Sequence, residues 1–349
     1  LLPIPTGMLL FGPVELHFIA LFMFIAIGLA DIWDGMLARR QGPTQFGAML
    51  DPLADKIFIL AIIVPFAEQG RAPVWFPAAL LAREFLVTGL RTQMTLRDHA
   101  IKTSVLAKLK TSIQMAGFGM VFLNEAVPRE IRTWVVGGIA AGAVLVLVLV
   151  AIRKRLRVSP FVWIPCCMLV LGFFIYVAFP KKDTSLAMLY IILAFTWGSG
   201  LDYVLGSLGV IRRTGLQRVD VARVVWTLGT VAVTSLLVVR PAFAFLVVIL
   251  LTAEFLIGGI DNLRALSGTP SSNTAFVVRA VLSIAGAAAI HAAVVAEASH
   301  ALTWAMISAL TVIVVGNAIY EAITVRPLMS GKATTLAYTT EPPPRTASE

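Results

Sequence analysis

The sequence predicts an all-α fold, a polytopic bundle of membrane-spanning helices. Of its 349 residues, 58% are hydrophobic and only 13% are charged. Several apolar runs exceed the roughly 18–20 residues that a spanning helix needs. These runs are unbroken, whereas the strands of a transmembrane barrel alternate apolar and polar residues, so the pattern excludes a barrel.

Twelve apolar segments follow one another along the chain, separated by glycines and prolines that predict turns. They cover about 1–12, 14–38, 47–67, 74–96, 104–125, 133–152, 159–179, 184–207, 219–239, 241–261, 275–298 and 301–325. Residues 327–349 are poor in apolar side chains and rich in Thr, Pro and Ser, which predicts a disordered tail. The chain opens on Leu1 inside apolar sequence, and we expect further residues before it.

Basic residues cluster at the ends of the segments and give a net charge of +9. Most of these clusters fall on one side of the predicted membrane, which the positive-inside rule identifies as the cytoplasmic side. An anionic leaflet accounts for them better than a nucleic acid does, and we expect no nucleic-acid partner. The sequence therefore predicts an integral membrane protein with both ends of the chain and residues 31–55 at the cytoplasmic face, and we expect the membrane to be a bacterial inner membrane.

Four aspartates lie in this apolar setting. Asp31 and Asp34 are spaced i, i+3, and Gly47, Asp51 and Asp55 are spaced i, i+4, i+8, so each set shares one helix face. A carboxylate at membrane depth costs roughly 2.5–3.5 kcal/mol, and four of them repel unless a cation neutralises them. Mg²⁺ or Mn²⁺ prefers such oxygen ligands, which predicts a site for two ions.

The alternative for these carboxylates is purely structural, with the side chains paired to Arg39, Arg40 or Lys56.

A second set of charged residues follows on the next two segments. Arg83 and Arg91 are eight residues apart and share a face, and Lys108 and Lys110 lie near the start of the following segment. Cations at membrane depth need anions nearby. Arginine suits bidentate phosphate contacts and lysine acts as a point charge, so we predict a phosphate pocket.

Other charged residues are given structural roles. Arg97 and Lys102 are expected to reach the interface by snorkelling. Interhelical pairs or interface positions are expected for Glu254, Asp261, Arg279 and Glu321.

The aspartate pattern reads D-x-x-D-G-x-x-A-R followed by G-x-x-x-D-x-x-x-D, and it resembles the defining motif of the CDP-alcohol phosphatidyltransferase family. The resemblance implies a six-helix membrane core with extra helices in this chain. The family usually has eight residues between the motif arginine and the second glycine, and this chain has seven, residues 40–46. Gly42-Pro43 predicts a turn that can absorb the deletion.

The same resemblance assigns roles to individual residues. It implies that Asp55 takes the proton from the acceptor alcohol, while Asp31, Asp34 and Asp51 are chiefly metal ligands. Residues bordering the cytidine diphosphate group would be Gly35, Ala38, Arg39 and Gly47.

Two further stretches resemble the phosphatidylglycerophosphate synthase branch of this family. They are R-E-F-x-V-T-G-L-R, from Arg83, and K-x-K-T-x-x-Q, from Lys108. This resemblance implies CDP-diacylglycerol as donor and sn-glycerol 3-phosphate as acceptor, and we also expect a homodimer. Ser199-Gly-Leu-Asp202-Tyr203 resembles the end of the last core helix.

These observations divide the chain into a transferase domain at 1–215, with helices possibly inserted at 133–180, and accessory helices at 216–326. Because no predicted site residue lies in the accessory helices, we expect segment 219–325 to be dispensable for chemistry. Two alternatives stay open: the same chemistry with another acceptor, such as inositol phosphate, or a cation-coupled transporter that uses the carboxylates as its ion site.

Overall fold

The computed structural model of the protein describes residues 1–41, 45–97, 105–127, 129–153, 159–267 and 271–329. Twelve α-helices account for most of these residues, and a 3₁₀ turn, Pro241–Phe243, precedes the tenth. The helices are α1 (Pro3–Phe11), α2 (Val14–Gln41), α3 (Gln45–Glu68), α4 (Trp75–Thr95), α5 (Val105–Ala126), α6 (Arg129–Arg153), α7 (Pro160–Ala178), α8 (Lys181–Thr214), α9 (Arg218–Val239), α10 (Ala244–Leu266), α11 (Asn273–Val295) and α12 (His300–Met329).

Each predicted apolar segment corresponds to one helix, which confirms the all-α prediction for the described residues. The largest difference is at α8, which continues seven residues past the predicted end at 207. Arg212 and Arg213 lie in its last turn, where positive charge is favourable, and Gly215 ends it with φ of +77°. Helix α12 runs to Met329, so the first residues of the predicted tail are helical, and 330–349 lie outside the described residues.

Six of the described helices are long and apolar enough to cross a membrane: α6, α8, α9, α10, α11 and α12. Two shorter apolar helical stretches are Glu15–Gly28 and Val162–Ala178. Helix α4 carries three charged side chains, Arg83, Glu84 and Arg91, between apolar neighbours. The chain is an integral membrane protein of the all-α class.

The helices of the C-terminal third pack directly on the helices that carry the predicted site. Helix α4 lies between α8 and α9, and α10 packs against both α3 and α4. Helix α11 lies mainly on α9, and α12 lies mainly on α10. Helices α6 and α7 pack on each other and on α5. The predicted domain boundary at 215–216 stays a prediction, but it does not separate two independently packed layers.

One predicted structural role is wrong. Arg97 does not snorkel: its side chain is 4% exposed and is ion-paired to Asp220 near the start of α9. It also donates to Thr214 Oγ1 at 2.9 Å. Asp220 in turn accepts from the backbone N–H of Gln217 at 2.8 Å as half of a capping box. The Asp220 carboxylate compensates the charge of the buried guanidinium. Lys102 lies outside the described residues.

The predicted interhelical pairs of the C-terminal helices are confirmed. Arg223 Nη2 of α9 lies 2.9 Å from the carboxylate of Asp261 on α10, and both side chains are almost fully buried. Arg279 Nη1 of α11 lies 3.8 Å from Glu321 of α12. Glu254 accepts a hydrogen bond of 2.6 Å from Trp226 Nε1. These contacts join α9–α12 into one unit.

Candidate active site

The predicted metal ligands lie on two helices, but most of their side chains lie outside the description. The backbone of α2 carries Asp31 and Asp34, and that of α3 carries Asp51 and Asp55. The side chains of 31–41 and 45–52 are not described, and these include Gly35, Ala38, Arg39 and Gly47. Among the side chains that are described, no three His, Cys, Asp or Glu lie together as metal ligands. The four-aspartate metal centre therefore stays a prediction.

Asp55 has a described side chain, and it lies at a pocket between α2, α3 and α5. The pocket has a volume of about 440 Å³. The α3 residues that line it are Asp55, Phe58, Ile59 and Ile62, which share one face of the helix. The other lining residues are Leu21, Phe24, Ile25, Gly28, Thr111, Ser112, Met115, Phe118, Gly119 and Phe122.

The polar groups of this pocket come first among its lining residues on two helices. Asp55 precedes Phe58, Ile59 and Ile62 along α3, and Thr111 and Ser112 precede Phe118 and Phe122 along α5. The pocket is thus amphipathic, with a carboxylate and two hydroxyls near one end and an apolar remainder. Such a shape suits a ligand that has a polar head and a hydrocarbon part.

Beside Asp55, a buried carboxylate organises several cations. Glu84 of α4 is 2% exposed. Lys110 Nζ of α5 donates to both of its oxygens, at 2.7 and 2.9 Å, and Arg83 Nη1 donates to one at 3.1 Å. Asp55 lies close enough to act electrostatically on Lys110. Glu84 therefore holds two predicted phosphate ligands next to the predicted base.

Lys56 belongs to the same cluster, although its sequence position suggested only a partner for the aspartates. Its Nζ donates to Thr88 Oγ1 at 2.6 Å, and it lies within electrostatic range of Glu84, Arg91 and Lys110. The signal in the sequence was a lysine directly after Asp55 at the edge of an apolar run. Because successive residues of a helix point in different directions, Lys56 contacts α4 whereas Asp55 lines the pocket.

Helix α8 completes the cluster from the other side. Arg83 Nη2 donates to Ser199 Oγ at 2.9 Å, and Arg91 Nη2 donates to the Tyr203 hydroxyl at 3.2 Å. Gly200 gives Arg83 its room, because a Cβ there would lie 3.0 Å from Arg83 Nε. The Ser-Gly-x-Asp-Tyr stretch, singled out in the sequence, thus contacts both arginines.

The described part of the site has an excess of positive charge. Lys56, Arg83, Arg91 and Lys110 face two described carboxylates, those of Glu84 and Asp55. The structure therefore brings together three of the four predicted phosphate ligands, and the side chain of the fourth, Lys108, lies outside the description.

Two of these cations differ in what they can still bind. Arg83 is 3% exposed and is engaged by Glu84 and Ser199, so it chiefly positions its neighbours. Arg91 is exposed and can reach a ligand.

The N-terminal part of the chain is similar to known proteins. Residues 1–150 match the family model described as CDP-alcohol phosphatidyltransferase. A Cereibacter sphaeroides protein named CDP-diacylglycerol–glycerol-3-phosphate 3-phosphatidyltransferase is 37% identical over 126 residues, which cover 33% of this chain and 57% of the relative. A Bacillus subtilis protein of the same name is 33% identical over 110 residues, or 31% of this chain and 57% of the relative.

A Mycobacterium tuberculosis protein named probable phosphatidylglycerophosphate synthase is 34% identical over 135 residues, or 38% of this chain and 63% of the relative. The chain thus spans less than two thirds of the length of these relatives. No solved structure is significantly similar to this chain. The region that matches the family model contains the aspartate motif, the pocket and the cations of α3–α5.

Proposed function

We propose that this protein transfers the phosphatidyl group from CDP-diacylglycerol to sn-glycerol 3-phosphate, giving phosphatidylglycerophosphate and CMP. The observation that carries the proposal is the amphipathic pocket at Asp55 beside a cluster with excess positive charge. The names of the relatives described above agree with this reaction.

The donor fits the pocket between α2, α3 and α5. Phe58, Ile59 and Ile62 form an apolar wall of the pocket. An acyl chain that packs against this wall is removed from water, which is favourable. Thr111 and Ser112 lie at the polar part, where the donor headgroup would lie near Asp55.

The acceptor fits the cationic cluster. Lys56, Arg91 and Lys110 would bind the phosphate of glycerol 3-phosphate, since their charge exceeds what Glu84 and Asp55 supply. An acceptor without a phosphate would leave this charge unbalanced, which favours glycerol 3-phosphate over a neutral alcohol.

The reaction then needs one proton transfer and one exchange of bonds at phosphorus. The primary hydroxyl of the acceptor attacks the β-phosphorus of the donor, forming a new phosphorus–oxygen bond. The bond from that phosphorus to the CMP oxygen breaks, and CMP leaves with the bonding electrons. Asp55 accepts the hydroxyl proton, which requires it to lie within hydrogen-bond reach of that oxygen.

A divalent metal belongs to the proposal. Asp31, Asp34, Asp51 and Asp55 would hold two Mg²⁺ or Mn²⁺ ions, because their donors are all carboxylate oxygens. Bound ions would neutralise the pyrophosphate charge. Asp55 lies at the polar part of the pocket, which fits this role. Removal of metal with a chelator should abolish CMP release, and Mg²⁺ or Mn²⁺ should restore it.

Location and assembly are proposed as well: a bacterial inner membrane, a site at the cytoplasmic face, and a homodimer. The basic residues at the C-terminal end of α8 support a cytoplasmic location of that helix end.

A cysteine introduced beside Arg213 should react with a membrane-impermeant reagent only from the cytoplasmic side. Native mass spectrometry in detergent tests the dimer.

The deciding experiment follows CMP release and lipid product from CDP-diacylglycerol with a panel of acceptors. The proposal expects metal-dependent CMP release with glycerol 3-phosphate and formation of phosphatidylglycerophosphate. Preference for inositol phosphate would keep the chemistry and change the acceptor. Cation flux in proteoliposomes without any CMP release would instead support a transporter.

A further inference from the structure

One aromatic side chain of α10 contacts both α3 and α4. The ring of Phe255 stacks on that of Phe85, with centroids 4.0 Å apart and planes inclined by 6°. Phe85 and Phe255 are 0% and 2% exposed. Lys56 Nζ lies 5.5 Å from the centroid of the Phe255 ring. Phe255 lies beyond residues 1–150, which match the family model.

The ammonium of Lys56 is thereby held from two sides. Thr88 Oγ1 accepts from Nζ at 2.6 Å, and the Thr88 hydroxyl donates to the backbone oxygen of Glu84 at 2.7 Å. That second bond orients the hydroxyl so that its lone pairs can face Lys56. The Phe255 ring attracts the cation through its quadrupole, and this attraction is strongest where water is excluded.

Close helix packing fixes the ring in this position. A Cβ at Gly258 of α10 would lie 2.7 Å from Trp226 Cη2 and 3.4 Å from Thr88 Cγ2. A Cβ at Gly89 of α4 would lie 3.1 Å from Arg223 Cβ of α9. Small residues at these crossings let the helices approach closely, so α9 and α10 act as a tight support behind α4.

We propose that Phe255 is a positioning residue for the acceptor site. Its ring holds the Lys56 ammonium against Thr88, where the charge joins those of Arg91 and Lys110 in binding the acceptor phosphate. This inference rests on the proposed function. It makes α10, outside the matched region, a functional part of the site.

The test compares Phe255→Leu, which removes the ring and keeps an apolar side chain, with Phe255→Tyr, which keeps the ring. Phe255→Leu should raise the KM for glycerol 3-phosphate about tenfold, equivalent to ~1.4 kcal/mol. The KM for CDP-diacylglycerol should change less than about twofold. Phe255→Tyr should behave like the unaltered protein. If Phe255→Leu fails to insert, Phe255→Met takes its place, because the flexible thioether fills irregular space.

The matched control is Phe243→Leu. Phe243, in the 3₁₀ turn before α10, is also fully buried and packs edge-on against Trp304, with Arg240 5.7 Å from its ring. It should leave both KM values unchanged. A double-mutant cycle then identifies the route of the effect: in a Lys56→Met background, Phe255→Leu should raise the acceptor KM no further. The inference is overturned if Phe255→Leu leaves both KM values unchanged, if it raises both equally, or if the two substitutions have additive effects on the acceptor KM.

A readout without turnover separates this inference from the proposed function. Acetylation of the Lys56 amine by a water-soluble reagent, measured by peptide mass spectrometry, should be several-fold faster in Phe255→Leu than in Phe255→Tyr or Phe243→Leu. Equal rates in all three would overturn the positioning role even if the transferase activity is found. Absence of CMP release from the unaltered protein would overturn the proposed function alone.

Discussion

At the scale of single residues, the site is organised by a carboxylate rather than by its cations. Glu84 binds Lys110 and Arg83, and its backbone oxygen anchors Thr88, which receives Lys56. A buried carboxylate with several cations orders their side chains and leaves their surplus charge for a ligand. This explains how so many like charges coexist close together.

The role of Asp55 gives the first prediction. Asp55→Asn keeps the size of the side chain and removes its basicity, so kcat should fall by about 10²–10⁴-fold. The measurement is CMP release by protein that inserts normally. Asp183→Asn, at the exposed start of α8, is the matched control and should keep full activity. Near-normal turnover of Asp55→Asn would remove this residue from the mechanism.

The exposed arginine of the cluster gives the second prediction. Arg91→Ala removes a phosphate contact but leaves Glu84 with its two partners, so the KM for glycerol 3-phosphate should rise about tenfold or more. The KM for CDP-diacylglycerol should change far less. Arg153→Ala, at the exposed end of α6, should alter neither value. An equal rise for donor and acceptor would show that Arg91 only supports the fold or the metal site.

At the scale of elements, the junction between α4 and α9 ties the C-terminal helices to the site. Asp220 lies in the first turn of α9, where it forms a capping box with Gln217. It is also ion-paired to Arg97, just after the end of α4. The Asp220 carboxylate thus accepts a hydrogen bond from the backbone N–H of Gln217 and forms the ion pair with the buried Arg97. Gln93 of α4 also donates to the Asp220 backbone oxygen at 3.3 Å.

The third prediction follows from this double role. Asp220→Ala should destabilise the protein by ~3–5 kcal/mol, because it removes the carboxylate that compensates the buried charge of Arg97, with about 1 kcal/mol more for the lost cap. Thermal unfolding in detergent measures the change. Asp183→Ala removes an exposed first-turn acid from α8 and should cost less than about 1 kcal/mol. Similar melting points for both variants would mean that Arg97 finds another partner.

At the scale of the whole molecule, the region that matches the transferase family model is supported by helices that follow it. Helices α9 and α10 cover α4 and α3, while α11 and α12 lie mainly on α9 and α10. The sequence led us to expect that segment 219–325 is dispensable. The contacts of Phe255 and Asp220 with the site helices lead to the opposite expectation for α9 and α10.

Two truncations test whether α9 and α10, but not α11 and α12, are needed for activity. Ending the chain after residue 216 removes four spans, and ending it after 267 removes two, so each keeps the topology of the rest. The shorter protein should lose transfer activity, because Phe85 and Lys56 lose their cover. The longer one should keep measurable activity with a similar acceptor KM. Full activity of the shorter protein would restore the original expectation.

The sequence by itself determined the helices and predicted the type of chemistry. Helix formation and membrane partition depend on local hydrogen bonds and on transfer free energies summed over about 20 residues, so apolar run lengths located all twelve helices. The aspartate spacing is also local, since i, i+3 and i+4 positions share a helix face. Composition therefore determined the fold class, and the motif predicted the family that residues 1–150 match.

Only the tertiary structure decided which partner each charge takes. Arg97 pairs with a residue 123 positions away, and Arg83 meets Ser199 across 116 positions. Lys56 faces Thr88 and the Phe255 ring because α10 packs into the groove beside α3 and α4. Such pairings depend on helix crossings set by side-chain packing, which a local pattern does not encode. For the same reason, the support that the C-terminal helices give to the site became apparent only in three dimensions.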